Sequence, residues 1–278
     1  MNKLISRAIK KGDKIFHEKT SFMRVTPNFL IIGNSFCCKT LLYDYMTQHH
    51  LIMKNLREET AFWGWHYNKG IMWYKSNFPT KIYKKILEFI HKKEAHVGET
   101  INMFGLERPE QIHKIIPNPK IIVILRNPID RAFARYLADV RAKLEKRTFE
   151  DSIKKPRDEN FQLQKMKMNE IKNIDDDESL YIKNSIYSYD LKRWNEFFPI
   201  EKMFFLSSED LIKNPLVTVN KALKFLELKP LKTIKKIGQN WEENQGTMES
   251  KMRQELQKIF EPHNQDLFEL VGEKFDWK

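Results

Sequence analysis

The sequence predicts an α/β fold with a central, mostly parallel sheet flanked by helices, and three observations carry that expectation. Short apolar, β-branched runs alternate along the chain with longer stretches of helical periodicity. One of those runs, Ile121 to Leu125, has no polar break, as in a strand buried on both faces of a parallel sheet. Two of the runs, ending at Gly33 and at Arg126, lead through a loop directly into a helix.

Phe29-Leu30-Ile31-Ile32 reads as the first strand, closed by Gly33, and Leu41, Leu42, Tyr45 and Met46 set a helix over Thr40 to His49. Leu51 to Lys54 is a second strand-like piece. Ile82, Ile86, Leu87 and Ile90 mark a helix from Ile82 to Ile90, and Ala95 to Gly98 is a shorter extended segment. After the strand 121–125, Pro128 occupies the first turn of a helix carrying Ala132, Phe133, Tyr136 and Leu137. Lys143 to Asp177 is densely charged and weakly periodic, which reads as exposed helices and loops and not as a separate domain. A helix from Ser188 to Phe197, a strand from Met203 to Leu206, helices near Val217 to Leu226 and Ser250 to Phe260, and a closing segment to Trp277 follow.

With 278 residues, 41% of them hydrophobic, the chain can bury a substantial core, and 1–278 is read as one domain with residues 1–24 as an N-terminal extension. A net charge of +12 suits a polyanionic ligand and also plain solubility, so it does not by itself select a nucleic-acid partner, and none is expected. Met1 to Lys14 lacks an apolar core long enough for a signal peptide or a membrane span, so a cytosolic location without a membrane partner is expected. The two cysteines, Cys37 and Cys38, are adjacent, a poor arrangement for a disulfide or a metal site.

Gly33-Asn34-Ser35-Phe36-Cys37-Cys38-Lys39-Thr40 lies between strand and helix, where free backbone N–H groups and the helix dipole favour a phosphate. Against the nucleotide-triphosphate loop it matches Gly33, Lys39 and Thr40 but has Cys38 in place of the second glycine. A kinase or triphosphatase also wants a magnesium-holding Asp at the end of a neighbouring strand, and the strand 121–125 runs instead into Arg126. An arginine there is a bidentate clamp for a second phosphate, which points to a ligand phosphorylated at two places with no obligatory metal. The bland alternative is a plain strand-to-helix turn with a chance Lys-Thr.

These residues resemble the sulfotransferase family that uses 3′-phosphoadenosine 5′-phosphosulfate, especially the branch of heparan sulfate sulfotransferases and bacterial relatives. Pro27 to Gly33 resembles that branch's opening strand, and Lys69-Gly70-Ile71-Met72-Trp73-Tyr74 is similar to its Lys-Gly-x-x-Trp-Tyr segment. Leu125-Arg126-Asn127-Pro128-Ile129-Asp130-Arg131-Ala132 resembles its 3′-phosphate strand and helix. Tyr187 with Leu191 to Trp194, Ser208-Glu209-Asp210-Leu211, and Phe260 to Asn264 keep the family's order. The resemblance implies a P-loop-like sulfotransferase fold, with the charged stretch 143–180 inserted over the acceptor side.

It also implies a cofactor set of Gly33, Ser35, Phe36, Cys37, Cys38, Lys39, Thr40, Leu41, Arg126, Ala134, Tyr187, Lys236 and Gly238. The last two belong to a stretch from Lys235 to Trp241 that resembles a loop closing over the 3′-phosphate. The site departs from the family pattern within the loop, where the inner glycine falls at Cys38 and the first threonine at Lys39, and at two phosphate contacts. The lysine that touches the phosphosulfate falls at Phe36, with Lys39 as the candidate replacement, and the serine eight residues after the arginine falls at Ala134. Losing that serine removes a phosphate hydrogen bond, on the order of 1.5–3 kcal/mol, which neighbouring Arg135 could offset.

On the acceptor side, Arg57-Glu58-Glu59-Thr60-Ala61-Phe62-Trp63 resembles the family's Lys-Glu-x-x-Phe-Phe segment, which makes Glu59 the candidate base, with His66 and Glu99 in reserve. Glu99 is equally read as a cap on the strand after Val97. Trp63, Trp65, Tyr67, Trp73 and Tyr74 would stack on a sugar or fill the core, with core filling favoured for the last two. The expected activity is sulfuryl transfer from 3′-phosphoadenosine 5′-phosphosulfate to a hydroxyl or amine of a small molecule or soluble glycan, releasing adenosine 3′,5′-bisphosphate. A catalytically silent relative that binds a nucleotide or polyanion is the alternative, and a kinase or triphosphatase the third reading.

Overall fold

A computed structural model of the chain describes residues 18–57, 59–104, 108–154, 179–237 and 248–277. Five strands, β1 (Phe29–Gly33), β2 (Ile52–Met53), β3 (His96–Asn102), β4 (Lys120–Leu125) and β5 (Met203–Ser207), form one sheet in the order β2-β3-β1-β4-β5. Every pairing is parallel. The two most apolar runs, β1 and β4, lie side by side at the centre, where both faces are covered and side chains on either face must be apolar. Gly33 is required by that pairing: a Cβ there would sit 2.5 Å from the carbonyl oxygen of Ile124.

Helices α1 (Lys39–Met46), α2 (Gly70–Lys75), α3 (Lys81–His91), α4 (Pro109–Ile115), α5 (Pro128–Arg141) and α6 (Phe149–Lys154) connect and cover the strands in the first part of the chain. After the undescribed stretch 155–178 come α7 (Leu180–Lys183), α8 (Tyr187–Asn195), α9 (Ser208–Lys213), α10 (Pro215–Phe225) and α11 (Ser250–Val271). The start of α5 follows from local chemistry. Pro128 fits the first turn, and the Asn127 side chain accepts the Ile129 N–H at 3.0 Å.

Three boundaries differ from the sequence expectation, each for a physical reason. The segment expected over Ala95 to Gly98 is a strand to Asn102, its polar Gly98-Glu99-Thr100 buried between β1 and the layers above. Glu99 is therefore mid-strand and not a cap. The expected strand Leu51 to Lys54 shrinks to two residues because it pairs on one side only, with β3. The last helix continues past Phe260 through Pro262 to Val271 and ends at Gly272 in the left-handed conformation.

The main core surrounds the sheet and takes in Trp63, Trp73 and Tyr74, so these aromatics fill space as favoured for the last two, while Trp65 stays exposed. A second apolar cluster under α5 joins Ile129 and Ala132 to Phe149, Tyr181, Ile186 and Phe260. Arg131 pins that layer: fully buried, it donates to Ser185 Oγ and to the Tyr181 carbonyl, both at 2.7 Å. No helix among the described residues is long and apolar enough to cross a membrane.

Candidate active site

The loop between β1 and α1 is shaped by backbone conformation. Phe36 and Cys38 both take positive φ, 73° and 61°, and the Cys37 N–H closes a turn onto Asn34 O at 3.1 Å. The first bond into the helix is Leu42 N–H to Cys38 O, so the amides of Lys39, Thr40 and Leu41 enter α1 with no acceptor one turn back. The family pattern has glycine where Cys38 stands, and the backbone keeps the left-handed conformation that glycine adopts freely. Burial pushes the Cys38 thiol up to about 12 and raises Cys37 as well, so both stay protonated and pack as small apolar groups.

The loop is anchored from three directions. Asn34 donates to the Asn184 carbonyl at 2.7 Å, Ser208 Oγ donates to the Cys37 carbonyl at 2.8 Å, and Arg126 Nη1 donates to the Phe36 carbonyl at 3.1 Å. Beneath it Asp190 is buried and pushed up to about 7 by desolvation, against which the Arg193 charge and the Asn34 hydrogen bond act.

On the β3 side, Lys39 turns its buried ammonium to the strand ends. Its Nζ donates to Asn102 Oδ1 at 3.0 Å and lies 3.2 Å from Glu59 Oε2. Asn102 Nδ2 donates to Glu59 Oε1 at 2.9 Å, and Ser35 Oγ reaches Asn102 Oδ1 at 3.3 Å. Lys39 and Glu59, 20 positions apart in sequence, thus share one polar network at the mouth of the loop. Asn102, which joins them, follows the polar run Gly98-Glu99-Thr100 and carries no signal in the sequence.

Glu99 lies one layer deeper. Thr60 and Tyr74 donate to its carboxylate, Tyr74 at 2.6 Å, and Trp63 Nε1 does so at 3.3 Å. Burial pushes this carboxyl up to about 7, partly offset by the three donors and reinforced by the charge of Glu59. Two of its three donors, Thr60 and Trp63, follow Glu59 closely in the chain, so Glu99 ties down the segment that carries the candidate base.

On the opposite side, β4 delivers Arg126, 6% exposed and without an ion-pair partner among the described residues. Tyr187 Oη donates to the Arg126 carbonyl at 2.8 Å and stands 3.6 Å from Cys37 Sγ, tying strand end to loop. Among the described residues one hydrogen bond, to a carbonyl, engages this guanidinium, which leaves it donors with which to meet an anion. The strands flanking β1 end in Asn102 and in Leu125-Arg126, neither of them an acid of the kind a magnesium-holding strand end presents.

Residues 29–278 match the sulfotransferase domain. The chain belongs to the sulfotransferase family. The bifunctional heparan sulfate N-deacetylase/N-sulfotransferase 1 of Caenorhabditis elegans is 26% identical over 211 residues, covering 73% of this chain and 22% of that protein. Heparan sulfate glucosamine 3-O-sulfotransferase 5 of Homo sapiens is 24% identical over 278 residues, covering 90% of this chain and 74% of that protein. The chain spans about a fifth of the length of the bifunctional relatives from Caenorhabditis elegans and Drosophila melanogaster. The crystal structure of a sulfotransferase from Alicyclobacillus acidocaldarius, 22% identical, superposes with a TM-score of 0.63 over 90% of this chain and 98% of that one. This likeness shows the fold.

Within this sulfotransferase domain the remaining candidates scatter. His66 packs edge-on against Trp73 at 5.2 Å, and no hydrogen bond joins it to Glu59 or Lys39. Partial desolvation and then the Lys69 charge lower its pKa. Ala134 is buried in α5, and Arg135 is engaged by Asp139 at 3.1 Å, which spends the charge that would offset the missing serine. Lys236 is exposed on a segment docked to the turn after α1 by reciprocal bonds between Gln48 and the Lys235 backbone, 2.9 and 2.7 Å. Glu58, Gly238 and Gln239 to Trp241 lie outside the described residues.

Proposed function

We propose that this sulfotransferase takes its sulfuryl group from 3′-phosphoadenosine 5′-phosphosulfate and passes it to a hydroxyl or amine of a soluble glycan or small molecule. The observation that carries the reading is the Lys39–Asn102–Glu59 network at the mouth of a loop whose far side holds Arg126. Two cationic groups flank a loop with open amides, which fits a ligand with phosphates at two ends. Bound there, the donor supplies a sulfuryl group already activated on a phosphate leaving group.

The chain's own residues supply the rest. The amides of 39–41, the Thr40 hydroxyl and the Lys39 ammonium would hold the phosphosulfate end, and Lys39 stands in for the lysine lost at Phe36. Arg126 would hold the 3′-phosphate, fixed in place by Tyr187 behind it. Glu59 would take the acceptor's proton, held by Asn102 on one oxygen and Lys39 on the other. Arg57 and Lys69 over the Trp73 ring, 5.6 and 4.4 Å, and Arg108 over Tyr67, 5.2 Å, give the acceptor side a basic and aromatic face that supports a glycan acceptor. A cytosolic site of action belongs to the same proposal, and the free thiols of Cys37 and Cys38 fit a reducing compartment.

The second reading, a relative that binds without turning over, is favoured by one arrangement: Ala134 offers no hydroxyl and Arg135 is engaged elsewhere. Release of adenosine 3′,5′-bisphosphate with desulfated heparin as acceptor separates the two. Glu59→Gln should lower turnover by about 10²–10⁴ with nucleotide affinity retained, and Lys39→Ala should lower both by about tenfold or more. Donor binding by the wild type with no turnover on this or any other hydroxyl or amine acceptor would favour the silent reading. Turnover unchanged in both variants would contradict the assigned roles.

A further inference from the structure

The apolar stripe that marks α3 as a helix faces solvent. Ile82, Tyr83, Ile86, Phe89 and Ile90 are 57, 52, 50, 83 and 62% exposed, and no residue of α3 is fully buried. At 100° per residue these five share one continuous arc. The opposite arc, Lys84, Leu87 and Glu88, is the half-buried one. Polar bonds hold it inward: Lys84 pairs with Glu88 and with Glu94, 3.4 Å each, and the Ala95 N–H donates to Glu88 at 3.2 Å. A helix at the surface of a water-soluble protein normally turns the other way, and a contiguous exposed apolar face marks an interaction surface.

Charge decides what meets this face. Lys81 and Lys85 border the arc and Lys92 and Lys93 follow it, all exposed, while the nearby Glu88 and Glu94 are engaged by Lys84. The chain enters at the same edge. Arg24 bridges Thr80, the N-cap of α3, and exposed Phe22 and Met23 stand just before it. Residues 1–17 carry Lys3, Arg7, Lys10, Lys11 and Lys14 against a single Asp13. A second copy of α3, or the chain's own residues 1–17, would set lysine against lysine. An anionic lipid surface suits both features, because the acyl boundary accepts the apolar arc and the headgroups accept the lysines. Contrary to the expectation of no membrane partner drawn from residues 1–14, we propose that α3 seats the protein peripherally on an anionic bilayer, lying in its surface without crossing it.

Co-sedimentation of the full chain with phosphatidylcholine vesicles, with and without phosphatidylglycerol, tests this. The expected result is a partition about tenfold higher onto the anionic vesicles, weakening as salt is added, and a loss of about tenfold in Ile86→Ser/Phe89→Ser. Both positions are exposed, and an unchanged melting temperature shows that the variant is folded. Absence of vesicle binding overturns the proposal, as does binding that the double variant leaves intact. A concentration-dependent dimer that the variant disrupts would also overturn it and assign the face to a second copy.

Discussion

Glu99 places a carboxyl inside the core, with Thr60, Trp63 and Tyr74 donating to it. Burial raises its pKa from an ordinary 4.5 to about 7. Between those values the unfolded chain gives up the proton first, so the contribution is fully present below pH 4.5 and is lost as pH rises through 7. The linked change is on the order of 3 kcal/mol, and Asp190, also raised to about 7 by burial, acts in the same direction. Urea unfolding should therefore show lower stability at pH 8 than at pH 5, and Glu99→Gln should remove about half of that difference. A variant with the wild-type pH slope would show that Glu99 does not titrate in this range. At the same scale, Lys39 and Arg126 were legible as candidates because each is a cation where a phosphate-binding loop wants one, and Glu59 because its segment resembles one of the family's. Asn102 and Asn34 were not, because an amide that joins two other residues leaves no pattern along the chain.

At the scale of elements, the close contact between β1 and β4 is the feature most exposed to a single substitution. Gly33→Ala drives a methyl into the Ile124 carbonyl, backbone that cannot move aside cheaply. It should cost about 1–3 kcal/mol, read as a lower melting temperature, and it should also displace the loop that starts at the next residue. An alanine variant with wild-type stability would mean that the strands part without penalty. The runs that became β1, β4 and the start of α5 were readable because burial on both faces forces continuous apolar sequence and because Pro128 and Asn127 punctuate the helix. The far half of β3 was hidden because buried polar residues satisfied by hydrogen bonds look like a loop in sequence. Periodicity revealed α3 but not its direction, since the stripe is the same whether it faces the core or the solvent.

Across the whole molecule, the site is assembled from segments far apart in sequence: the loop after β1, the stretch from Glu59 to Trp63, and the ends of β3 and β4. The parallel order β2-β3-β1-β4-β5 brings the carboxyl ends of these strands to one edge of the sheet, where ligands of open α/β sheets bind. The family was legible in the order of many short matches, and Lys39 was already the candidate replacement for the lysine lost at Phe36, whereas its contacts with Asn102 and Glu59 needed the geometry. Calorimetric titration with adenosine 3′,5′-bisphosphate, against ATP with magnesium and against Arg126→Ala, tests this account most directly. Dissociation constants of about a micromolar or tighter, near −8 kcal/mol, lost in Arg126→Ala and not matched by ATP, are the predicted result. No binding of adenosine 3′,5′-bisphosphate, or binding that Arg126→Ala leaves unchanged, would contradict it.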